Sequence, residues 1–493
     1  MPGRQDTLLP RPETFSSRWA VIVAGLGMAV GTGNLWRFPR VAAQNGGAAF
    51  LIPWMLFLVA WSLPLLIAEF GLGRGSRRGP IGTFTLLAGR GYAWMGSFVA
   101  VTTIMIMFYY SVVTGWTLKY FVASLIAGSP SDPGAYWSEY SVSVWQPILF
   151  HIVAVIAGVT IVARGVVGGI ERANKVLIPA LFALLLVAVA RAVTLEGADQ
   201  GLRFLFRPDL SALLSYRTWL EALTQSAWST GAGWGLILTY AVYVKRQEDV
   251  VANSAVIGLG NNTASLLAGM AIVPTAFAVL STSEAIEAMA AGNLGLTFVW
   301  IPQLFSRAPA GTVVLPIFFL ALFFAALSSL IAMIELASRV LIDAGLSRRV
   351  AVRLVGVATV ICGIPSAASP TIFENQDWVW GLALMISGLF ISVAVTRYGP
   401  ERFRTDLINV GDGAIRVGPL FSWVLQYMIP MQFVVMFGWW MYQAVAVYDP
   451  ENWWNPIRMY SLGTCLLQWG GALAVVLVFN RRLAASSLTP PAP

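Results

Sequence analysis

Ionisable side chains are scarce in this sequence. Asp, Glu, Lys and Arg together make 11% of 493 residues, with one histidine and two cysteines. Each shortage removes a class of explanation. A soluble chain of this length covers itself with charge, at about a quarter of its residues, so the surface here is not built for water. Cys362 and Cys465 lie far apart in apolar segments, so neither a disulfide framework nor a metal cluster is indicated. They read as small apolar side chains, and His151, opening an apolar segment, as a packing or interfacial group. No paired acids and no Ser/His/Asp set stand out, which disfavours an enzyme. Polar residues run to Ser17 before the first apolar stretch, so the start does not read as a signal peptide.

Apolar residues are abundant: they make 57% of the chain, and the mean hydropathy is +0.73. Runs such as Leu51 to Phe70, Met95 to Val113 and Val313 to Ile334 are each long enough to span roughly 30 Å of hydrocarbon. A β-barrel would need strands of only about 10 residues with alternating pattern. The expected fold is therefore an all-α integral membrane protein of about twelve transmembrane helices. They fall near 16–44, 47–74, 92–126, 147–164, 170–192, 217–244, 250–280, 312–343, 348–366, 377–397, 419–446 and 454–481. The segment 281–311, long and partly apolar, is expected to fold as a cap on the outer face.

A net charge of +8 suggests nucleic acid only if it gathers on one face. Instead it marks every second connection, as at Arg74, Arg77 and Arg78, at Lys245 and Arg246, and at Arg348 and Arg349. Residues 127–147, 361–377 and 444–455 hold no Lys or Arg. This asymmetry predicts both termini in the cytoplasm, and the expected location is the cell's inner (plasma) membrane, as a multi-pass protein. The link 191–218, with Arg203, Arg207 and Arg217, is a partial exception.

Two predicted helices carry glycine interruptions, Gly31-Thr32-Gly33-Asn34 and Ser229-Thr230-Gly231-Ala232-Gly233-Trp234-Gly235. They stand five helices apart, in corresponding places of two five-helix halves. Backbone unwound inside a bilayer leaves polar groups that a cavity, ion or substrate must satisfy, so paired breaks point to a midplane binding site. Close helix packing through small residues is the competing reading. It leaves Asn34, Arg37, Ser229 and Thr230 unexplained. Gly31-Thr32-Gly33 is no nucleotide fingerprint, lacking a preceding strand and a third glycine.

The run Ala29 to Pro39, Ala-Val-Gly-Thr-Gly-Asn-Leu-Trp-Arg-Phe-Pro, followed by Gln44 to Phe50, closely resembles the signature of the neurotransmitter:sodium symporter family. Within that family the chain looks like a bacterial LeuT-like amino-acid transporter. The likeness extends through Glu69 to Arg74, Tyr109-Tyr110, Gly169-Ile170-Glu171, Gln225 to Tyr243 and Phe323 to Ser329, nearly the whole chain. It implies a 5+5 inverted repeat with broken first and sixth helices plus two extra helices, working by alternating access. The divisions are then 1–15, a cytoplasmic segment; 16–192 and 217–397, the two repeats; 419–481, the last two helices; and 482–493, a cytoplasmic tail.

The resemblance also assigns sites. A first sodium site falls on Ala29, Asn34, Ser229 and Asn261, completed by the substrate carboxylate, and a second on Gly27, Val30, Ala325, Ser328 and Ser329. All-oxygen cages suit a hard cation. Hydroxyls bonded back to their own helix are the alternative for Ser328 and Ser329. Gly31 stands where the amine carriers of the family have an aspartate, and is expected to leave space for a substrate carboxylate that Tyr110 would hold. The substrate pocket further matches Met28, Ala29, Thr32, Gly33, Ile106, Trp228, Ser229, Gly231, Trp234, Ser329 and Met333. Bulk at Trp234 argues for a small amino acid, whereas Gly231 returns volume for a larger one. A chloride site falls on Trp54, Gln225, Ser229 and Ser265, with Glu221 as another source of negative charge. Arg37 and Asp377 match an outer gate, and Tyr243 and Asp343 an inner one, where Pro12 and Phe15 replace the family's arginine and tryptophan beside Arg11. Glu335 is read as the helical ion-pair partner of Arg339, with proton coupling as its alternative. The function implied is sodium-coupled symport of a small neutral amino acid. A carrier of another zwitterion, amine or osmolyte, a channel and a non-transporting sensor stay open, since fold does not fix function.

Overall fold

The computed structural model describes residues 13–410 and 414–489, and Arg11 and Pro12 lie outside them. Among the described residues every regular element is helical. Among the described residues nine helices are long and apolar enough to cross a membrane, or eleven if each of two bent pairs counts as one span. The twelfth is the sixth in chain order, Tyr216–Ser229 with Leu236–Ala241, its halves too short to qualify.

What faces outward identifies the solvent. Leu149, Val153 and Ile156 are exposed along Trp145–Ala163, and Leu354, Val357 and Ile361 along Arg348–Ala368. Stripes of this spacing in water would be sites of aggregation; in lipid they are the ordinary outer surface. The polar residues are inside: Asn34, Glu69, Asn174, Asn261 and Glu335 are fully buried.

Helix starts are fixed by capping side chains. The Ser17 hydroxyl accepts from the Ala20 amide at 3.2 Å, and the Asp249 carboxylate from the Val251 and Ala252 amides at 3.0 Å each. Two boundaries differ from expectation for this reason. Ser369 caps a helix that begins at Pro370, well before residue 377, and Ser461 caps the last span at Leu462, not at 454. Apolar periodicity cannot see a cap made by a polar residue outside the apolar run. The segment after Leu280 is structured, with helices Thr282–Ala290 and Ile301–Arg307.

The first span, Arg18–Ala29 and Gly33–Gln44, bends by 57° at its break. Its first half is buried from Ala20 to Ala29 and packs against Val250–Val279, Arg172–Val193, Gly311–Asp343 and Leu236–Ala241. In the sixth span, Gly231, Gly233 and Gly235 adopt φ of +70°, +87° and +75°, which side chains with a Cβ resist. Both breaks therefore sit at the centre of the bundle. His151, also buried, places Nε2 3.2 Å from the Val360 carbonyl, joining two helices.

Helices approach closely where glycine permits. A Cβ at Gly115 would lie 2.6–2.8 Å from the backbone of Phe150 and His151 on the neighbouring helix. Gly115→Ala should therefore lower the unfolding temperature in detergent, by an overpacking cost of about 1–3 kcal/mol. Helix propensity alone favours alanine by up to about 1 kcal/mol, so a rise in unfolding temperature would show that the crossing yields.

Candidate functional site

The two breaks face one cavity. Met28, Ala29, Gly31, Thr32 and Gly33 line it from the first, Trp228, Ser229, Gly231 and Trp234 from the second, with Ile106, Tyr110, Ser329 and Met333 from two further spans. Every residue matched to substrate by resemblance is thus brought together. Tyr109, Asn293 and Leu384 also line the cavity. No pattern in the sequence marks Asn293, which arrives from the segment between the seventh and eighth spans.

Four of the backbone amides freed at the breaks have side-chain acceptors. Glu69 takes the N–H groups of Gly233 and Gly235, the second at 3.1 Å. The Gly31 amide donates to Asn34 Oδ1 at 2.9 Å, and the Thr32 amide to Tyr110 Oη at 3.1 Å. Tyr110 therefore accepts from the backbone and keeps its own proton for an acceptor in the cavity. The expected space at Gly31 is absent: a Cβ there would lie 2.8 Å from Tyr110 Oη and 3.1 Å from Ser329 Oγ. Glycine at 31 lets the backbone approach those two hydroxyls, and does not leave a hole. At Gly231 a Cβ would lie 3.0 Å from Met28 Sδ, so Met28 fills the volume that glycine returns.

Carbonyl oxygens fare differently from the amides. Those of Gly27 and Val30 receive, among the described residues, only the Ser329 hydroxyl at 3.4 Å from each. The Ser328 hydroxyl donates to the Ala325 carbonyl at 3.0 Å, so its lone pairs remain. A second group of oxygens surrounds Asn261. One polar atom of its amide lies 2.7 Å from the Ser229 carbonyl oxygen, 3.1 Å from that of Ala29 and 2.8 Å from Asn34 Nδ2. If that atom is nitrogen it donates to both carbonyls and abuts the Asn34 NH2 group. If it is oxygen it accepts from Asn34 and faces two carbonyls, an arrangement that a hard cation would relieve.

Near this group are donors without acceptors. Trp54 Nε1 is buried and unpartnered among the described residues. Ser265 Oγ accepts from Asn34 Nδ2 at 2.8 Å, which leaves its proton to donate. Gln225 Nε2 makes only a 3.4 Å contact to the Gly33 carbonyl, while its Oε1 accepts from Arg37 at 2.5 Å. Glu221 is committed to Arg37 at 3.3 Å.

The two ends of the cavity are unlike. At its mouth, Trp36, Arg37, Trp228, Asn293 and Asp377 are shared with a second, wider cavity. Arg37 lies 5.1 Å over the Trp228 ring and pairs with Glu221, and makes no ion pair with Asp377. The opposite end is sealed. Phe15 is buried, edge-on to Tyr240 and Tyr243, and its amide donates to the Tyr243 carbonyl at 3.0 Å. Ser16 bonds to Glu171 through both its amide and its hydroxyl. Asp343 accepts from Arg339 and from the Gly79 amide, both at 2.6 Å. The expected pairing of Glu335 with Arg339 is not formed: Glu335 binds Arg348 at 2.5 Å and accepts from the Tyr243 hydroxyl at 2.5 Å. Spacing along one helix suggested Arg339, but Arg348 reaches in from the start of the next.

Known proteins resemble this chain in sequence and in fold. The model of the sodium:neurotransmitter symporter family matches residues 12–142 and 139–484. An uncharacterised sodium-dependent transporter of Methanocaldococcus jannaschii is 34% identical over 443 residues, covering 85% of this chain and 88% of that protein. The sodium-dependent neutral amino acid transporter B(0)AT2 of Pongo abelii is 28% identical over 54% of this chain and 40% of its own length. The crystal structure of MhsT in complex with L-phenylalanine superposes with a TM-score of 0.76 at 30% identity, covering 86% of this chain and 99% of MhsT. This chain belongs to the sodium:neurotransmitter symporter family, and is a multi-pass membrane transporter rather than an enzyme.

Proposed function

We propose that this chain carries a small neutral amino acid across the plasma membrane together with sodium, by opening its cavity to one side at a time. The observation that carries this reading is the gathering of oxygens at the breaks: the Gly27 and Val30 carbonyls share one long serine contact, and the Ala29 and Ser229 carbonyls converge with the Asn34 and Asn261 amides. Such oxygens fit cations. Ala29, Asn34, Ser229 and Asn261 would hold one sodium, and Gly27, Val30, Ala325, Ser328 and Ser329 another.

Tyr110, with its proton free, suits a substrate carboxylate, which would also approach the first sodium. A side chain at position 31 would place its Cβ 2.8 Å from Tyr110 Oη, so a carboxylate supplied by the protein there would displace that hydroxyl. Trp228, Trp234 and Met28 restrict the side-chain end, so glycine or alanine is the substrate we favour. A second reading has support, because Met28 ends in a flexible thioether and MhsT, 30% identical, holds phenylalanine. Uptake of labelled glycine, alanine and phenylalanine into proteoliposomes separates the two.

In the transport cycle, residues 16–192 and 217–397 would act as two five-helix halves, with both termini cytoplasmic. The sealed end is then the cytoplasmic one, and Arg37 and Asp377 would approach each other when the mouth shuts over substrate. Trp54, Gln225, Ser229 and Ser265 would take a chloride, since two sodium ions near one zwitterion leave positive charge in a poorly screening medium. The Glu221 alternative loses support from its bond to Arg37.

Two tests follow from these assignments. Asn34→Ala and Ser328→Ala should each raise the sodium concentration for half-maximal substrate binding on the order of tenfold, the loss of one charge-assisted contact. Equal binding in sodium and in choline would remove the sodium assignments. Sodium-driven uptake should fall when gluconate replaces chloride, and Ser265→Glu should make it chloride-independent. Full uptake by the parent protein in gluconate would defeat the chloride assignment.

A further inference from the structure

Asn174, on the helix Arg172–Val193, is fully buried, and its side-chain oxygen has no hydrogen-bond partner among the described residues. The amide's orientation is fixed by its other end. Nδ2 donates to the Ile170 carbonyl one turn back, at 2.9 Å, so Oδ1 must face away from its own helix. It faces Gly27. A Cβ built on Gly27 would lie 2.0 Å from Asn174 Oδ1 and 3.3 Å from Ser328 Cβ. The amide oxygen thus occupies the room that a side chain at 27 would need, beside Ser328.

This neighbourhood already has more acceptors than donors. The Gly27 and Val30 carbonyls share one serine hydroxyl at 3.4 Å, and the Ser328 proton is spent on Ala325. Burying another acceptor there without a donor carries an uncompensated desolvation cost. A cation removes that cost by giving every oxygen the same partner. We infer that Asn174 supplies a further oxygen to the second sodium site, from a third helix that the resemblance does not include. The inference rests on the proposed reading of that site. It makes the site a junction of three spans, with the first, fifth and eighth each contributing. The competing account is helix packing alone, with Oδ1 taking a weak contact from the Gly27 Cα–H.

The test measures sodium binding in detergent without transport: the sodium concentration for half-maximal substrate binding, and the rise in unfolding temperature with sodium but no substrate. Asn174→Ala should raise the half-saturating concentration about tenfold, as the loss of a supporting metal contact does, and shrink the sodium-induced stabilisation. Asn174→Asp, which keeps an oxygen in place, should hold or lower that concentration. Ser328→Ala is the reference for the site itself. If Ser328→Ala weakens sodium binding and Asn174→Ala does not, Asn174 only packs and the inference falls while the site stands. Equal weakening in the Ala and Asp variants also overturns it, because the oxygen is then irrelevant. If neither Ser328→Ala nor Asn174→Ala alters sodium binding, the reading of the second site falls and takes the inference with it.

Discussion

Breaking a helix inside a low-dielectric bundle frees backbone groups that must find partners, and the centre of this protein is organised by that requirement. Glu69 answers it for the sixth span by gathering the amides of Gly233 and Gly235, and Asn34 and Tyr110 answer it for the first. Without these acceptors each orphaned amide would cost several kcal/mol in such a medium, and the chain would close up into continuous helix. Pairing the amides has a second effect. The carbonyls left behind create a region rich in partial negative charge, so under the proposed reading the same device that permits the break would favour cations at the site.

Charge at the two ends serves another purpose. Replacing a buried ion pair by apolar side chains is often neutral or stabilising, so pairs such as Glu335 with Arg348 are poor devices for stability alone. They are strongly directional, however, and parting them leaves unpaired charge. The sealed end carries Glu335 with Arg348 and Asp343 with Arg339, tied to the Tyr243 hydroxyl and the Gly79 amide. At the mouth Arg37 has Glu221 and Gln225, and Asp377 stays apart from it. One end is fully paired and the other is not, a difference a rocking molecule could exchange.

The sequence showed the spans and the breaks because long apolar runs and glycine clusters are local features. The residues matched to substrate were legible through a resemblance that names them one by one, and the structure brings these to one cavity. What spacing could not reveal was who meets whom between helices. Glu335 looked toward Arg339 on its own helix, but Arg348 takes it from the next. Gly31 read as empty space, whereas Tyr110 and Ser329 crowd it. Asn293 and Asn174 carried no signal, since a single asparagine in a helix or loop has meaning only through what lies opposite. Caps at Ser369 and Ser461 shifted two boundaries because a helix start is set by one polar side chain, not by the apolar run behind it.

Under the proposed reading, ion binding and the position of the helices are the same event. The second site draws oxygens from the first span at Gly27 and Val30 and from the eighth at Ser329, which already touches both carbonyls. Moving those spans apart removes ligands from one side, so a bound cation favours the arrangement in which the far end is sealed. A ligand shifts such an equilibrium only by its difference in affinity between the states. Reversing a 1:99 population requires about a 10⁴-fold difference. One ligand worth about tenfold supplies a quarter of that on a logarithmic scale, so no single oxygen commands the change. The work must be divided among both cation sites and the substrate, whose carboxylate would complete the first. That division explains why the oxygens are spread over several helices: each added helix makes the bound state more sensitive to the relative position of the two halves.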